Sequence, residues 1–297
     1  MNTDIFAGID IGSNAIRLLV NAVSGDPASP DFKKVAFLRV PIRLGEDVFI
    51  KGVISEDKRH RLNEALQGFS HMMKAYEVEG YRAYATSAMR DASNGSDIVA
   101  TIERESGIKI NIISGLEEAD VIYQAGSLNS LMDKKRNYLY VDVGGGSTEV
   151  VVFSNQQKVT SESFQLGTVR MLVEAVQEDE VKRFKTWLKQ VCKDYSSLSI
   201  IGSGGNINKV HKILGKRASE PHSYTEMKVL FDALKDLSYE ERIRNYKLNT
   251  YRADVIIPAL RIFLTIAKTC KVNEIYVPKV GVVDGIVRQL YAEKYNQ

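Results

Sequence analysis

The chemistry of this sequence gathers around glycine turns flanked by acids. In Tyr140-Val-Asp-Val-Gly-Gly-Gly-Ser-Thr-Glu-Val150 an apolar run carries one carboxylate, Asp142. It then passes through Gly144, Gly145 and Gly146 into Ser147, Thr148 and Glu149. Glycines let the backbone approach a ligand closely and turn its N–H groups toward an anion. Ser147 and Thr148 add hydroxyl donors. Asp142 and Glu149 are hard oxygen ligands suited to Mg²⁺ or Mn²⁺. The pattern points to a phosphate held with a divalent metal. A plain structural hairpin would account for the glycines alone.

A second stretch, Asp10-Ile-Gly-Ser-Asn-Ala-Ile-Arg17, has the same form. Gly12 frees the backbone, Ser13 and Asn14 supply donors, and Arg17 is a candidate cation at the far rim. An exposed hairpin turn is the plainer reading. A third stretch, Gly202-Ser203-Gly204-Gly205-Asn206, runs from a strand into a helix start, where free N–H groups and the helix dipole favour an anion. It has neither the GK[ST] ending of a Walker A loop nor the spacing of a dinucleotide fingerprint, so it reads as a phosphate loop of another type.

Three further features have two readings each. Arg90 lies about one turn into a helix for which Thr86 and Ser87 are plausible N-caps. It either points at an anion near that helix start or is a surface arginine. Glu117 and Glu118 stand in the first turn of another helix, where acids complement the dipole. Alternatively, one of them takes a proton from a water attacking phosphorus. Lys209, His211 and Lys212 read as a solvated helix face, and His60, His71, His211 and His222 show no metal spacing. No serine or cysteine setting suggests a covalent nucleophile, so the expected chemistry is direct attack by water.

The elements that must position these residues follow from periodicity and turn signals. Residues 5–23 predict strand, turn and strand, with a third strand over 32–44, a helix over 55–79 and a strand over 82–86. A helix over 98–106, a strand over 108–113 and a helix from 115 to about 131 follow. The scheme then restarts, with strands over 138–143, 148–153 and 158–164, helices over 169–176 and 179–195, a strand over 198–202 and a helix over 207–214. Helices over 224–234, 239–245 and 254–270, a strand over 274–277 and a helix from 281 complete it. The near-repeat predicts two halves, 1–127 and 128–297, with a boundary near 125–135 and a cleft lined by both hairpins. The last helix can pack on either half.

Composition bounds the partners. The chain has 297 residues, 44% apolar, with a formal net charge of +3. That suffices for two cores and argues against a dedicated duplex-DNA binder. The N-terminus lacks a basic region leading into an apolar one, and no apolar run approaches the ~20 residues that span a membrane. A cytoplasmic protein without membrane or DNA partners is expected. Cys192 and Cys270, far apart and without CxxC spacing, are expected to be small buried hydrophobes in helices, not a disulfide or a zinc site.

Several segments together resemble the exopolyphosphatase / guanosine pentaphosphate phosphatase family of the actin-like ATPase superfamily. They are Ile9-Asp-Ile-Gly-Ser-Asn-Ala-Ile-Arg17, Ala85-Thr-Ser-Ala-Met-Arg90, Ile113-Ser-Gly-Leu-Glu-Glu-Ala119, Val141 to Glu149, Leu166-Gly-Thr-Val-Arg170, Gly202-Ser-Gly-Gly205 and Arg252-Ala-Asp-Val-Ile256. The resemblance implies an α/β fold of two ribonuclease-H-like domains flanking a central cleft. It implies release of terminal orthophosphate from inorganic polyphosphate, or of the 5′-γ-phosphate from guanosine pentaphosphate. It implies Mg²⁺ or Mn²⁺ at Asp142 and Glu149, a water-activating base at Glu118, and a homodimer. Arg90 and the Gly-Ser-Asn and Gly-Ser-Gly-Gly loops match phosphate-contacting positions. The C-terminal helical domain of the long exopolyphosphatases is expected to be absent, and Lys279 to Gly285 matches more loosely. Two other classes are weighed: a nucleotide-binding regulator with little turnover, which three acids in a polyanion site disfavour, and a kinase, for which no acceptor domain is visible.

Overall fold

The structure, a computed structural model, describes residues 3–26, 29–124, 131–217, 219–278 and 280–295. Alternating apolar residues build its first hairpin. β1 (Asp4–Ile11) and β2 (Ile16–Asp26) pair antiparallel until Ile11 meets Ile16, which leaves residues 12–15 as the turn. β3 (Ser29–Val40) pairs with β2 and stops before Pro41, which has no N–H for the ladder. The strand expected over 32–44 is therefore shorter. α1 (Leu44–Lys51), a helix the periodicity missed, starts after Arg43, whose φ is 61°. α2 (Glu56–Ala75) buries Leu62, Leu66, Phe69 and Met73, the stripe the spacing predicts. β4 (Gly80–Ala85), α3 (Ser87–Asp91), α4 (Gly95–Ser106), β5 (Ile110–Ile112) and α5 (Gly115–Gln124) follow. The helix expected to reach about 131 runs past Gln124 into residues outside those described, as does part of the expected boundary at 125–135.

The scheme then repeats. β6 (Asn137–Val143) and β7 (Thr148–Ser154) form a hairpin that closes at Val143↔Thr148, leaving residues 144–147 as the turn. β8 (Gln157–Phe164), α6 (Thr168–Leu172), α7 (Glu178–Asp194), β9 (Leu198–Ser203) and α8 (Gly205–Leu214) come next. α9 (Tyr224–Lys235), α10 (Tyr239–Tyr246), α11 (Ile256–Thr269), β10 (Ile275–Tyr276) and α12 (Val282–Tyr295) complete the described elements. The two sheets have the same order, β3-β2-β1-β4-β5 and β8-β7-β6-β9-β10. In each, short turns make the first three strands antiparallel. Helical crossovers make the last two parallel to the first. This is the ribonuclease-H-like, actin-like arrangement the resemblance implies.

The chain divides into two compact units, Met1–Gly126 with Gly281–Gln297, and Ser127–Val280. Ile9, Ile11, Leu18, Leu62 and Leu66 are central to the first core. Leu139, Val141, Phe164, Phe184, Leu188 and Phe263 are central to the second. The expected second half, 128–297, thus gives up its last helix. α12 lays Val283, Val287 and Tyr291 on Phe6, Leu19 and Val23 of the first unit. Lys294 adds ion pairs to Asp4 at 2.9 Å and Glu79 at 2.6 Å, and Arg82 one to Glu293 at 2.8 Å. Exposed pairs of this kind contribute little, so the buried apolar face decides the docking. Among the described residues no helix is long and apolar enough to cross a membrane.

Two placements in the second unit depart from the sequence reading. Cys192, late in α7, and Cys270, just after α11, form a disulfide with Cα atoms 5.2 Å apart. Their separation of 78 residues hid a proximity that only the packing of the two helix ends creates. His211 on α8 and His222 are both buried, 1% and 0% exposed, and share a hydrogen bond of 2.8 Å between His211 Nδ1 and His222 Nε2. One ring donates and the other accepts, an arrangement that needs both neutral.

Burial, then the His211 ring and Lys216, push His222 down to about 4; Glu226 opposes them, but is itself bound to Lys216. A lowered folded pKa means the unfolded chain takes up the proton first. This contribution to stability is complete above the unfolded value of 6.5 and is lost as pH falls toward 4. We expect an apparent loss on the order of 2 kcal/mol across that window. Chemical denaturation from pH 7 to 4.5 tests it, with His222→Gln expected to flatten the slope.

Candidate active site

Each hairpin turn is shaped from behind. In the second unit the carbonyls of Gly144, Gly145 and Gly146 all find donors at the start of α6. Thr168 N–H donates to Gly144 O at 3.0 Å, and Val169 and Arg170 N–H donate to Gly145 O at 2.8 and 3.1 Å. Arg170 Nε donates to Gly146 O at 2.9 Å, and the Thr168 hydroxyl to Gly144 O at 3.2 Å. In a planar trans peptide the C=O and the next N–H point in opposite directions. Tying these three carbonyls therefore turns the N–H groups of Gly145, Gly146 and Ser147 the other way. Among the described residues none of the three has an acceptor. The result is a concave row of donors, the form of an anion nest.

The first unit repeats the device. Arg43 N–H donates to Asn14 O at 3.0 Å and Gly45 N–H to Ser13 O at 2.9 Å, from the start of α1. Gly12 N–H closes its turn on Ala15 O at 3.2 Å, as Gly144 N–H does on Ser147 O at 3.0 Å. The Ser13 hydroxyl accepts from Ala88 N–H at 3.2 Å, which locks the turn to α3.

The carboxylates are arranged by strand register. Asp142 pairs directly with Glu149 across β6 and β7, Glu149 with Ser163 on β8, and Asp142 with Ser203 on β9. Residues opposite each other share a sheet face, so these form one row. Asp142 is 7% exposed and Glu149 1%. Ser163, which the sequence reading did not single out, donates to Glu149 Oε1 at 2.9 Å. Two opposed buried carboxylates repel, and a cation between them relieves that cost. Among the described residues no group of three or more His, Cys, Asp or Glu is placed to hold a metal. The donor set therefore fits an ion that binds through two carboxylates and fills its shell with water and phosphate oxygens, as Mg²⁺ does.

Two glycines in this unit cannot carry a side chain. A Cβ on Gly167 would lie 2.4 Å from Gly146 N and C. Gly204 has φ 108°, and its Cβ would lie 2.8 Å from Val143 O and 3.2 Å from Asp142 Oδ1. The loop Gly202 to Asn206 is thereby pressed against the metal-ligand candidate, with the N-terminus of α8 beginning at Gly205.

Other expected donors are engaged elsewhere. The Thr148 hydroxyl is fully buried and donates to Leu166 O, and the Ser203 hydroxyl donates to Val280 O at 3.0 Å. Both brace the loops instead of facing a ligand. Arg17, expected at the rim, is ion-paired with Asp10, its direct partner across β1 and β2. Thr86 occupies the N-cap position of α3 without a side-chain cap bond. Ser147 and Asn206 are nearly buried beside their glycines, and Asn14 Oδ1 is buried without a partner among the described residues.

In the first unit Arg90 and the acid pair come together. Arg90 Nη1 donates to Ile113 O at 2.7 Å, just ahead of α5. Ser114 and Glu117 form a capping box, with Ser114 N–H to Glu117 Oε2 at 2.7 Å and Glu117 N–H to Ser114 Oγ at 3.2 Å. These bonds, with Arg90 nearby, hold the Glu117 carboxyl below the usual range. Glu117 thus serves the helix, and half-buried Glu118 is the acid not used in that cap.

Arg170 is the residue whose role sequence reasoning missed; it was visible only within the Leu166-Gly-Thr-Val-Arg170 match. We expect Arg170→Met, which leaves Gly146 O without its side-chain donor, to cost roughly 1–3 kcal/mol in stability. Orthophosphate affinity, measured by calorimetry with Mg²⁺ present, should fall about tenfold if the turn is loosened. Unchanged affinity would show that the backbone bonds to Gly144 and Gly145 suffice.

Comparison with known proteins agrees with this geometry. The bifunctional 3-dehydroquinate synthase/phosphatase of Fusobacterium nucleatum is 33% identical over 69% of this chain and 33% of its own. The guanosine-5′-triphosphate,3′-diphosphate pyrophosphatase of Aeromonas salmonicida is 25% identical over 99% of this chain and 61% of its own. The chain thus spans about a third to three fifths of the length of these curated relatives. The crystal structure of the Aquifex aeolicus member of the Ppx/GppA family superposes with a TM-score of 0.77 at 25% identity, covering 100% of both chains. A model of the Ppx/GppA phosphatase family matches residues 22–293. On that match across most of its length, the chain belongs to the Ppx/GppA phosphatase family.

Proposed function

We propose that this protein is a metal-dependent phosphoanhydride hydrolase that releases terminal orthophosphate from inorganic polyphosphate. The observation that carries the reading is the turn 144–147, whose outward N–H groups stand beside the opposed carboxylates of Asp142 and Glu149. Donors fixed before the reaction stabilise charge on the equatorial oxygens of a transferred phosphoryl group without reorganising. The N–H groups of Gly145, Gly146 and Ser147, and those at the start of α8, fill that role. Asp142 and Glu149 would hold Mg²⁺ or Mn²⁺, which when bound neutralises charge on the phosphoryl group. Glu118 takes the proton of the attacking water as the oxygen–phosphorus bond forms and the terminal anhydride bond breaks. The shortened polymer leaves as the second product. The setting we infer is a cytoplasmic homodimer.

A second reading, release of the 5′-γ-phosphate of guanosine pentaphosphate, is favoured by the printed activity of the Aeromonas relative, which aligns with 99% of this chain. The bond broken and the residues used are the same; only the group beyond the anhydride differs.

An orthophosphate-release assay with Mg²⁺ decides between them, comparing short polyphosphate, long polyphosphate and guanosine pentaphosphate. We expect Glu118→Gln to lower turnover by about 10²-fold or more with folding intact. Glu117→Gln, which touches only the capping box, should cost about 1 kcal/mol in stability and keep most turnover. Near-normal rates in Glu118→Gln would overturn the assignment.

A further inference from the structure

α8 starts at the glycine loop and carries lysines along its length. Lys209 is half-buried, and its ammonium donates to Lys247 O, the backbone carbonyl just after α10, at 3.0 Å. Lys212, one turn further on α8, and Lys247 are exposed. Burial and then the charges of Lys212, Arg252 and Lys247 hold Lys209 below the usual lysine range, and no carboxylate acts on it. Lys247 is held with φ 49°, in the left-handed region that lysine seldom adopts. The simplest structural role for Lys209 is to complement the carbonyl end of α10. That role accounts for one cation. It does not explain why three more gather around it without an acid. Cations packed so closely repel, and an anion among them reverses the sign of that interaction.

The position of the cluster names the anion. Four residues of helix separate Gly205 from Lys209, a rise of about 6 Å. A linear polyanion with its end at the glycine loop can run along α8 to these lysines. We propose that Lys209, Lys212 and Lys247 form an accessory subsite on the second unit for inner phosphates of a polyphosphate chain, beyond those held at the glycine loops. This rests on the hydrolase reading above and deepens it, because it selects a polymer over a nucleotide. A guanosine base offers nothing that an all-cationic surface would recognise, whereas each further phosphate gains a charge-assisted contact.

The test uses Lys212→Gln/Lys247→Gln, two exposed positions that leave the bond from Lys209 to Lys247 O in place. Orthophosphate release is measured against concentration of tripolyphosphate, long-chain polyphosphate and guanosine pentaphosphate, at two salt concentrations. Binding of fluorescently labelled long-chain polyphosphate is followed separately by anisotropy. We expect KM and Kd for the long chain to rise about tenfold while kcat and both parameters for tripolyphosphate stay unchanged. The salt dependence of long-chain binding should weaken by a slope of about 1.4, for two lost phosphate contacts. An equal rise for tripolyphosphate, a rise confined to guanosine pentaphosphate, or no rise would each overturn the subsite. If the unaltered protein releases no orthophosphate from any substrate, the hydrolase reading fails by itself. The anisotropy comparison still decides whether these lysines bind polyphosphate.

Discussion

The structure of both candidate phosphate sites depends on hydrogen bonds that never touch a ligand. The carbonyls of residues 144–146 and of residues 13 and 14 are taken by N–H groups at the start of the helix that follows the third strand, α6 in one unit and α1 in the other. A peptide plane is rigid, so fixing its carbonyl fixes the next N–H. The anion-binding face is thus set by packing on the opposite side. The arrangement tolerates no side chain at Gly167, where a Cβ would fall 2.4 Å from the Gly146 backbone. It also recruits Arg170, 8% exposed, whose guanidinium is spent on a backbone carbonyl.

The opposed acids add a different constraint. Asp142 and Glu149 face each other on adjacent strands in a nearly buried row, an arrangement a purely structural sheet avoids. Cores on the same strands hold them there: Val141, Val143, Val150 and Val152 are buried in the second core. The strain of like charges is local and the apolar burial is distributed, so the sheet can carry a site that does not favour folding. A divalent cation makes sense of that cost, and so does the backbone strain at Gly204, whose loop is pressed against Asp142 Oδ1.

Much of the architecture was legible because the signals were strong and local. The two hairpins, the stripe on α2 and the glycine loop at the start of α8 all follow from period and turn chemistry within one element. The missed α1 begins two residues after a proline, at a left-handed Arg43 that no local pattern announces. The disulfide of Cys192 with Cys270 and the His211–His222 pair join residues that are distant or functionless in sequence. Thr148 and Ser203 looked like phosphate donors because a hydroxyl beside glycine is one by type. Their neighbours, Leu166 O and Val280 O, come from other parts of the chain and claim them.

The sequence by itself determined the inventory: which turns carry glycine, which strands carry an acid, and that the scheme of strands and helices occurs twice. These follow from residue type and short-range spacing, which act within a few bonds. Only the tertiary structure decided allegiance. It paired Arg17 with Asp10, separated Glu117, bound into a cap, from Glu118, aligned Asp142 with Glu149 and Ser163, and returned α12 to the first unit. Each of those outcomes depends on which partner a side chain or backbone group meets across elements. Register, burial and competition among nearby acceptors settle that, and none of them is local to the residue concerned.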